Sequence, residues 1–264
     1  MYELKGFEPR LYQQSIMHTA IKSNTLVVLP TGKGKTKLAI MIALHRLTCF
    51  PGSKILFLTP TKPLASQIGA EFKECTNIDE VQIFSGEVKP ELRRSLWEAS
   101  KVIVSTPQTI SNDVINGTVD LRHVSLLVID ESHLATGDYD YVWICKQYYN
   151  NGDYPRIVGL TASPGDNVES INEVCKNLFI EDVEVRTLED EDIKPYVFET
   201  ETEYVMVELG PEFSSVRKYL NDALEKRVNM LKEYGLTKSK FVSKTGLLQM
   251  QRELQSQIAT GEAD

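Results

Sequence analysis

Two short stretches of the chain combine residue types that can hold and cleave a phosphate chain. The first is Leu29-Pro-Thr-Gly-Lys-Gly-Lys-Thr36. Its glycines allow a tight turn, so that backbone N–H groups from Gly32 to Thr36 can converge on one phosphate. Pro30, Thr31, Gly32, Lys33 and Gly34 would form the cradle. Lys35 would reach the β- and γ-phosphates, and the Thr36 hydroxyl would coordinate Mg²⁺. A helix opening at Lys35 would add the positive end of its dipole.

The second stretch is Leu126-Leu-Val-Ile-Asp-Glu-Ser-His133, an apolar strand ending in two carboxylates. Asp130 is placed to hold Mg²⁺ through water, and Glu131 to orient and deprotonate an attacking water. His133 would sit at the nucleotide edge and sense the γ-phosphate. An acidic pair after a strand is common by itself. Together with a phosphate loop about ninety-five residues upstream, it points to a nucleoside triphosphate held with Mg²⁺.

Such residues need a rigid support, and the surrounding pattern supplies one. Short apolar runs are expected as strands at Thr25–Leu29, Ile55–Leu58, Val81–Phe84, Val102–Val104, Leu126–Ile129, Ile157–Leu160 and Val183–Arg186. Helical patterns such as Lys35–Leu47, Pro63–Cys75, Pro90–Glu98 and Val168–Leu178 lie between them. Runs such as ILFLTP are apolar throughout rather than alternating, as strands covered on both faces are. The fold class is therefore α/β, with a mostly parallel twisted sheet flanked by helices.

A further strand-like run, Tyr204–Val207, precedes Gly210-Pro211, a helix-start signal. From Phe213 to Ile258 the chain reads as helical, with Val216, Leu220, Leu224, Val228 and Leu231 at spacings of three to four and possible breaks at Gly235 and Gly246. We place the first domain at 1–208 and a helical segment, the start of an insert domain, at 209–264.

The composition, 42% hydrophobic and 25% charged, is that of an ordered globular protein. No run approaches the roughly 18 apolar residues that span a bilayer, and no signal core opens the chain. Cys49, Cys75, Cys145 and Cys175 lie far apart without metal-ligand spacing, which fits free thiols in a reducing, intracellular compartment. The net charge of −8 is concentrated: residues 181–203 hold ten acids against Arg186 and Lys194. Phe213–Ile258 carries nine basic residues against four acids, so the charge distribution permits a basic binding surface.

Asp130-Glu-Ser-His133 resembles the DExH box of superfamily-2 helicases, and Gly32-Lys-Gly-Lys-Thr36 resembles their motif I. That family frequently replaces the loop's first glycine, where Leu29 stands here. Further stretches resemble its other first-domain motifs in order. Arg10-Leu-Tyr-Gln13 resembles the Q-type motif, which implies adenine reading by Gln13 with Arg10 beside it. Thr59-Pro-Thr-Lys-Pro-Leu64 resembles motif Ia, Ser85-Gly-Glu87 a following short motif, Thr106-Pro-Gln-Thr109 motif Ib, and Leu160-Thr-Ala-Ser-Pro164 motif III. The set is most similar to the archaeal Hef and Fanconi anaemia M group. RNA sensors of the RIG-I type and Dicer share much of it.

The resemblance implies a RecA-like first domain that acts as an ATP-dependent DNA helicase or translocase on forked or branched DNA. Pro60, Thr61, Lys62, Gly86, Thr106, Pro107, Gln108 and Thr109 would grip the strand from loops after strands, by its backbone and without reading sequence. Thr161 and Ser163 would couple nucleotide state to that grip. RNA is the alternative partner, because phosphate contacts alone do not separate the two.

A second RecA-like domain is expected as a partner in cis or trans, since the 264 residues hold no QxxGRxxR-like motif. Its arginines are worth roughly 10³–10⁵ in rate in related phosphoryl transfers. The isolated chain is therefore expected to hydrolyse ATP slowly, or to bind nucleotide without turnover. A small-molecule kinase or GTPase is disfavoured, since no NKxD signature accompanies the loop.

Overall fold

The computed structural model describes residues 2–163, 165, 167–197, 203–208, 210–237 and 243–260. Pro164 of the motif III stretch and Leu209 at the expected domain boundary lie outside the described residues. The chain divides into two units, Met1–Glu199 and Thr200–Asp264.

The first unit is a seven-stranded sheet: β1 (Thr25–Val28), β2 (Lys54–Leu58), β3 (Val81–Phe84), β4 (Val102–Ser105), β5 (Val124–Asp130), β6 (Ile157–Thr161) and β7 (Asp182–Val185). The strand order is β3-β4-β2-β5-β6-β1-β7, and every pairing is parallel. Parallel neighbours require crossovers, which are supplied by α2 (Lys35–Cys49), α3 (Lys62–Cys75), α4 (Pro90–Ala99), α5 (Pro107–Ile115), α6 (Asp140–Asn151) and α7 (Val168–Asn177), while α1 (Leu11–Ala20) precedes β1. All seven expected strands are present, with no end displaced by more than two residues and Val81–Phe84 matched at both ends.

Residues alternate between two buried layers along each central strand. Ile55, Phe57, Leu126 and Val128 pack with α1, α2 and α3. Leu56, Leu58, Leu127 and Ile129 face the other way, onto α5, α6 and α7. Both faces are covered, which is why these runs are apolar at every position. Prolines set several helix starts: Pro63 stands in the first turn of α3, Pro90 in that of α4 and Pro107 in that of α5.

In the second unit Gly210 caps α8 (Pro211–Glu233), as the Gly-Pro pair implies, and Gly235 follows its end with φ +71°. The helix α9 (Lys244–Thr260) runs straight through Gly246, which stands in its first turn. Tyr204–Val207, expected as a strand, has no strand pairing and all four side chains are exposed. β-propensity alone does not make a strand where no neighbour takes the backbone hydrogen bonds.

Candidate active site

The site residues stand along the carboxyl ends of the strands, where parallel sheets present their loops. After β1 the loop turns through Gly32 and Gly34, at φ +76° and +75°, and Gly34 caps α2. Its φ makes glycine the residue for position 34, and a Cβ there would also come within 2.7 Å of the Gln13 side-chain amide and displace it. Lys35 and Thr36 open α2, with their backbone N–H groups among the helix's free donors. The Lys35 ammonium donates to the Leu29 carbonyl at 3.0 Å. Burial lowers the Lys35 pKa, opposed by the charges of Glu131 and Asp130. The loop lysine therefore feels both carboxylates.

Those carboxylates end β5, two strands from β1 in the sheet. Burial raises the pKa of Asp130 and the Glu131 charge adds to it. The Thr59 hydroxyl and Lys35 pull in the opposite direction. Tyr141 of α6 donates to the Asp130 backbone carbonyl at 2.9 Å and fixes the strand end from below. Glu131 takes the left-handed conformation, φ 47° and ψ 49°, unusual for a residue other than glycine. That turn starts the short 3-10 helix Ser132–Leu134 and aims the glutamate off the strand line.

The strand between, β6, ends at Thr161. Its backbone carbonyl accepts from Leu29 N–H at 3.0 Å, tying motif III to the phosphate loop. The Thr161 hydroxyl donates to the Ser163 carbonyl at 2.7 Å and lies 3.1 Å from His133 Nδ1. Its only proton is thus committed, so His133 Nδ1 must be the donor. Glu131 Oε2 stands 3.4 Å from the same nitrogen. Ser163 itself is exposed.

Gln13 is buried on α1. Its Oε1 accepts from Arg10 N–H at 3.0 Å, and its Nε2 donates to the Gly34 carbonyl at 3.2 Å. Next to it the Tyr12 hydroxyl donates to the Lys33 carbonyl at 2.7 Å and receives Arg10 at 3.0 Å. Arg10 also lies over the Tyr196 ring, 4.7 Å from its centroid, and Lys33 Nζ donates to the Tyr196 carbonyl. The Q-type residues thus brace the phosphate loop directly.

The expected strand-gripping residues correct one point of the sequence reading. Thr61 and Thr106 stand in the loops after β2 and β4 as expected, each directly before a helix, whereas Thr109, also expected in a loop, lies inside α5. Pro107 and Thr109 lie in the first turn of α5 and are buried, and the Thr106 and Thr109 hydroxyls bond each other at 3.0 Å. A short polar run before a proline is a helix start as readily as a loop. Thr61, Lys62, Gly86 and Gln108 are exposed and Pro60 half-buried. Lys62 forms an ion pair with Glu87, which brings the Gly86 loop beside α3. Two contributions escaped the sequence reading: Tyr141 altogether, and the bond to Asp130 made by Thr59, which entered only as the first residue of the motif Ia stretch. Thr59 was visible as the one polar residue ending the apolar run ILFL, while Tyr141 left no signal.

Among the described residues no group of three or more His, Cys, Asp or Glu gathers into a metal site. The nearby donors, Thr36 and Asp130, are all oxygen, which suits Mg²⁺. That ion is usually held by one or two carboxylates together with substrate phosphates and water. Among the described residues no helix is long and apolar enough to cross a membrane.

Residues 10–171 match the family model described as DEAD/DEAH box helicase. A Methanocaldococcus jannaschii protein bearing the provisional name of an ATP-dependent RNA helicase is 41% identical over 253 residues, 95% of this chain and 32% of its own. The ATP-dependent DNA helicase mph1 of Sclerotinia sclerotiorum is 37% identical over 227 residues, 84% of this chain and 18% of its own. The Fanconi anemia group M protein homolog of Mus musculus is 34% identical over 221 residues, 82% of this chain and 11% of its own. The solved Pyrococcus furiosus Hef helicase domain superposes with TM-score 0.71 at 42% identity, covering 96% of this chain and 55% of that one. The chain thus spans a third or less of these curated relatives. With the phosphate loop, the DESH box and motifs Ia to III standing in order on a RecA-like sheet, the chain belongs to the DEAD/DEAH box helicase family.

Proposed function

We propose that the chain is the nucleotide-binding half of an ATP-driven motor that moves on DNA, with forked or branched DNA as its substrate. One observation carries this. Lys35, Asp130 and Glu131 interact at the carboxyl edge of the sheet, and the N-termini of α3 and α5 open from the same edge. Nucleotide and strand would therefore be held by one rigid frame.

Lys35 and the N–H groups of Gly32 to Thr36 hold the outer phosphates. Thr36 and, through water, Asp130 would hold Mg²⁺, which supplies charge neutralisation on the transferring phosphoryl group when bound. Glu131 accepts the proton of the attacking water, and its left-handed turn presents it to that water. His133 carries the state of the γ-phosphate to Thr161. Gln13 braces Gly34 and offers its amide to the adenine edge, with Arg10 alongside. Thr61, Lys62 and Thr106 offer donors to phosphates, with the free N–H groups of α3 and α5 behind them. Relatives named for DNA support a DNA track. The provisional RNA name of the Methanocaldococcus relative supports an RNA track as the second reading.

We read residues 209–264 as the opening of a helical insert, and the missing arginine set as supplied by a second RecA-like domain. The compartment is intracellular in this reading, in keeping with free thiols at Cys49, Cys75, Cys145 and Cys175. The test is ATP turnover by the chain and by Glu131→Gln, with forked DNA, duplex RNA or neither, before and after adding a second RecA-like half. Weak basal turnover should rise by roughly 10³ or more with the added half and depend on DNA. Glu131→Gln should bind ATP without turning it over. Stimulation by RNA alone selects the second reading, and full turnover by Glu131→Gln overturns the mechanism.

A further inference from the structure

We propose that Thr59 is a positioning residue that couples Asp130 to both strand-gripping helices. Thr59 is fully buried one residue beyond β2, the strand between β4 and β5. Its hydroxyl donates to Asp130 Oδ2 at 3.1 Å. Its backbone N–H donates to the Ser105 carbonyl at 3.0 Å. Two residues on, Thr61 caps α3; one residue after Ser105, Thr106 caps α5. A single residue therefore touches the nucleotide-site carboxylate, leads into one gripping helix and is bonded to the residue before the other.

The chemistry of the position makes the link firm. A buried hydroxyl without a partner is costly, so the Thr59 proton stays on Asp130 as that carboxylate moves. The hydroxyl engages Oδ2, so Asp130 could still help to hold a Mg²⁺ ion through water when one is bound. A rotation of Asp130 on nucleotide binding or loss is then transmitted to the end of β2, and from there to Thr61 and Ser105. The Thr161–His133 pair leaves the DESH box on the opposite side, toward β6 and the phosphate loop. Among the described residues the Thr59 arm runs toward the helices that would hold the strand. This inference rests on the motor reading given above.

The test is the affinity of the 264-residue chain for fluorescein-labelled forked DNA, by anisotropy, with and without saturating Mg²⁺ and a non-hydrolysable ATP analogue. The wild type should show an affinity ratio between the two conditions in the usual coupling range of about 5–150-fold. Thr59→Val keeps the shape and removes the hydroxyl. It should bind each ligand alone within about threefold of wild type and bring the ratio at least threefold closer to one. Thr59→Ser should restore the ratio. If Thr59→Val does not fold, as judged by its melt, Thr59→Ala takes its place in the same comparison. A wild-type ratio in Thr59→Val, or its loss in Thr59→Ser as well, overturns the coupling role. A ratio of one in the wild type, with the second RecA-like half added as well as without it, overturns the motor reading, and this inference with it.

Discussion

Asp130 is held in a place that does not suit its charge, and this has a measurable consequence. A carboxyl whose pKa is raised in the folded state binds more protons folded than unfolded over that interval. Stability is therefore lost as pH rises from the ordinary carboxylate range through the folded value, and the deficit persists at neutral pH. Asp130→Asn removes the charge and keeps an acceptor for Thr59. It should raise the Tm of the chain at pH 7–8 while abolishing Mg²⁺-dependent turnover. The gain should shrink as pH falls into the carboxylate range, which differential scanning fluorimetry across pH can follow. A lower Tm for the variant at neutral pH would count against burial as the dominant cause. Ser132 supports a parallel expectation. Its hydroxyl is buried without a partner among the described residues, 3.2 Å from where a Gly159 Cβ would stand. Ser132→Ala should be neutral or stabilising by up to about 1 kcal/mol in urea denaturation, with turnover intact.

The helices α4 and α5 are locked by one buried ion pair. Arg93 grips Asp113 with two hydrogen bonds, Nε to Oδ2 at 2.6 Å and the terminal nitrogen to Oδ1 at 2.5 Å. Its remaining nitrogen donates to the Val88 carbonyl, so the same guanidinium anchors the loop that carries Gly86. Both side chains are nearly inaccessible, which makes either one alone an uncompensated buried charge. Asp113→Ala should cost about 3–5 kcal/mol in urea denaturation, and Arg93→Met combined with Asp113→Leu should recover most of that loss. If the double variant is as unstable as the single one, geometry rather than charge is at stake. At this scale the sequence was unequally legible. The five inner strands could be read because burial on both faces leaves apolar runs such as Leu126–Ile129, whereas the edge strands β3 and β7 are covered only in part. The start of α5 at Pro107 was masked by polar residues whose partners lie elsewhere: Asp113 is explained only by Arg93, twenty positions earlier. Thr59 belongs to the same class, since its meaning comes from Asp130, seventy-one positions on. The phosphate loop and DESH box were legible because their chemistry is local, while the bracing by Tyr12, Tyr141 and Tyr196 depends on packing.

The two core layers draw all their members from the first unit, the last being Ile193. Folding of the nucleotide site should then not require the second unit. A chain ended after Glu199 should melt within a few degrees of the whole chain, because the core layers it keeps are complete. Its affinity for a fluorescent ATP analogue should stay within about threefold, because a rigid preformed site is retained. The basic residues tell a different story. Phe213–Ile258 carries a local excess of five positive charges, and removing it also takes away phosphate partners if that segment lies on the strand. Each lost phosphate contact flattens the dependence of log affinity on log salt by about 0.7–0.9. Salt titrations of forked-DNA binding by the two chains therefore separate two roles for the tail. A slope shallower by about two or more in the shortened chain assigns the tail to the DNA track. Equal slopes confine the grip to Lys62 and the starts of α3 and α5, and leave the basic excess as a solvated face. Either result depends on the shortened chain melting as a unit, so a broad or absent transition would show that the second unit completes the fold.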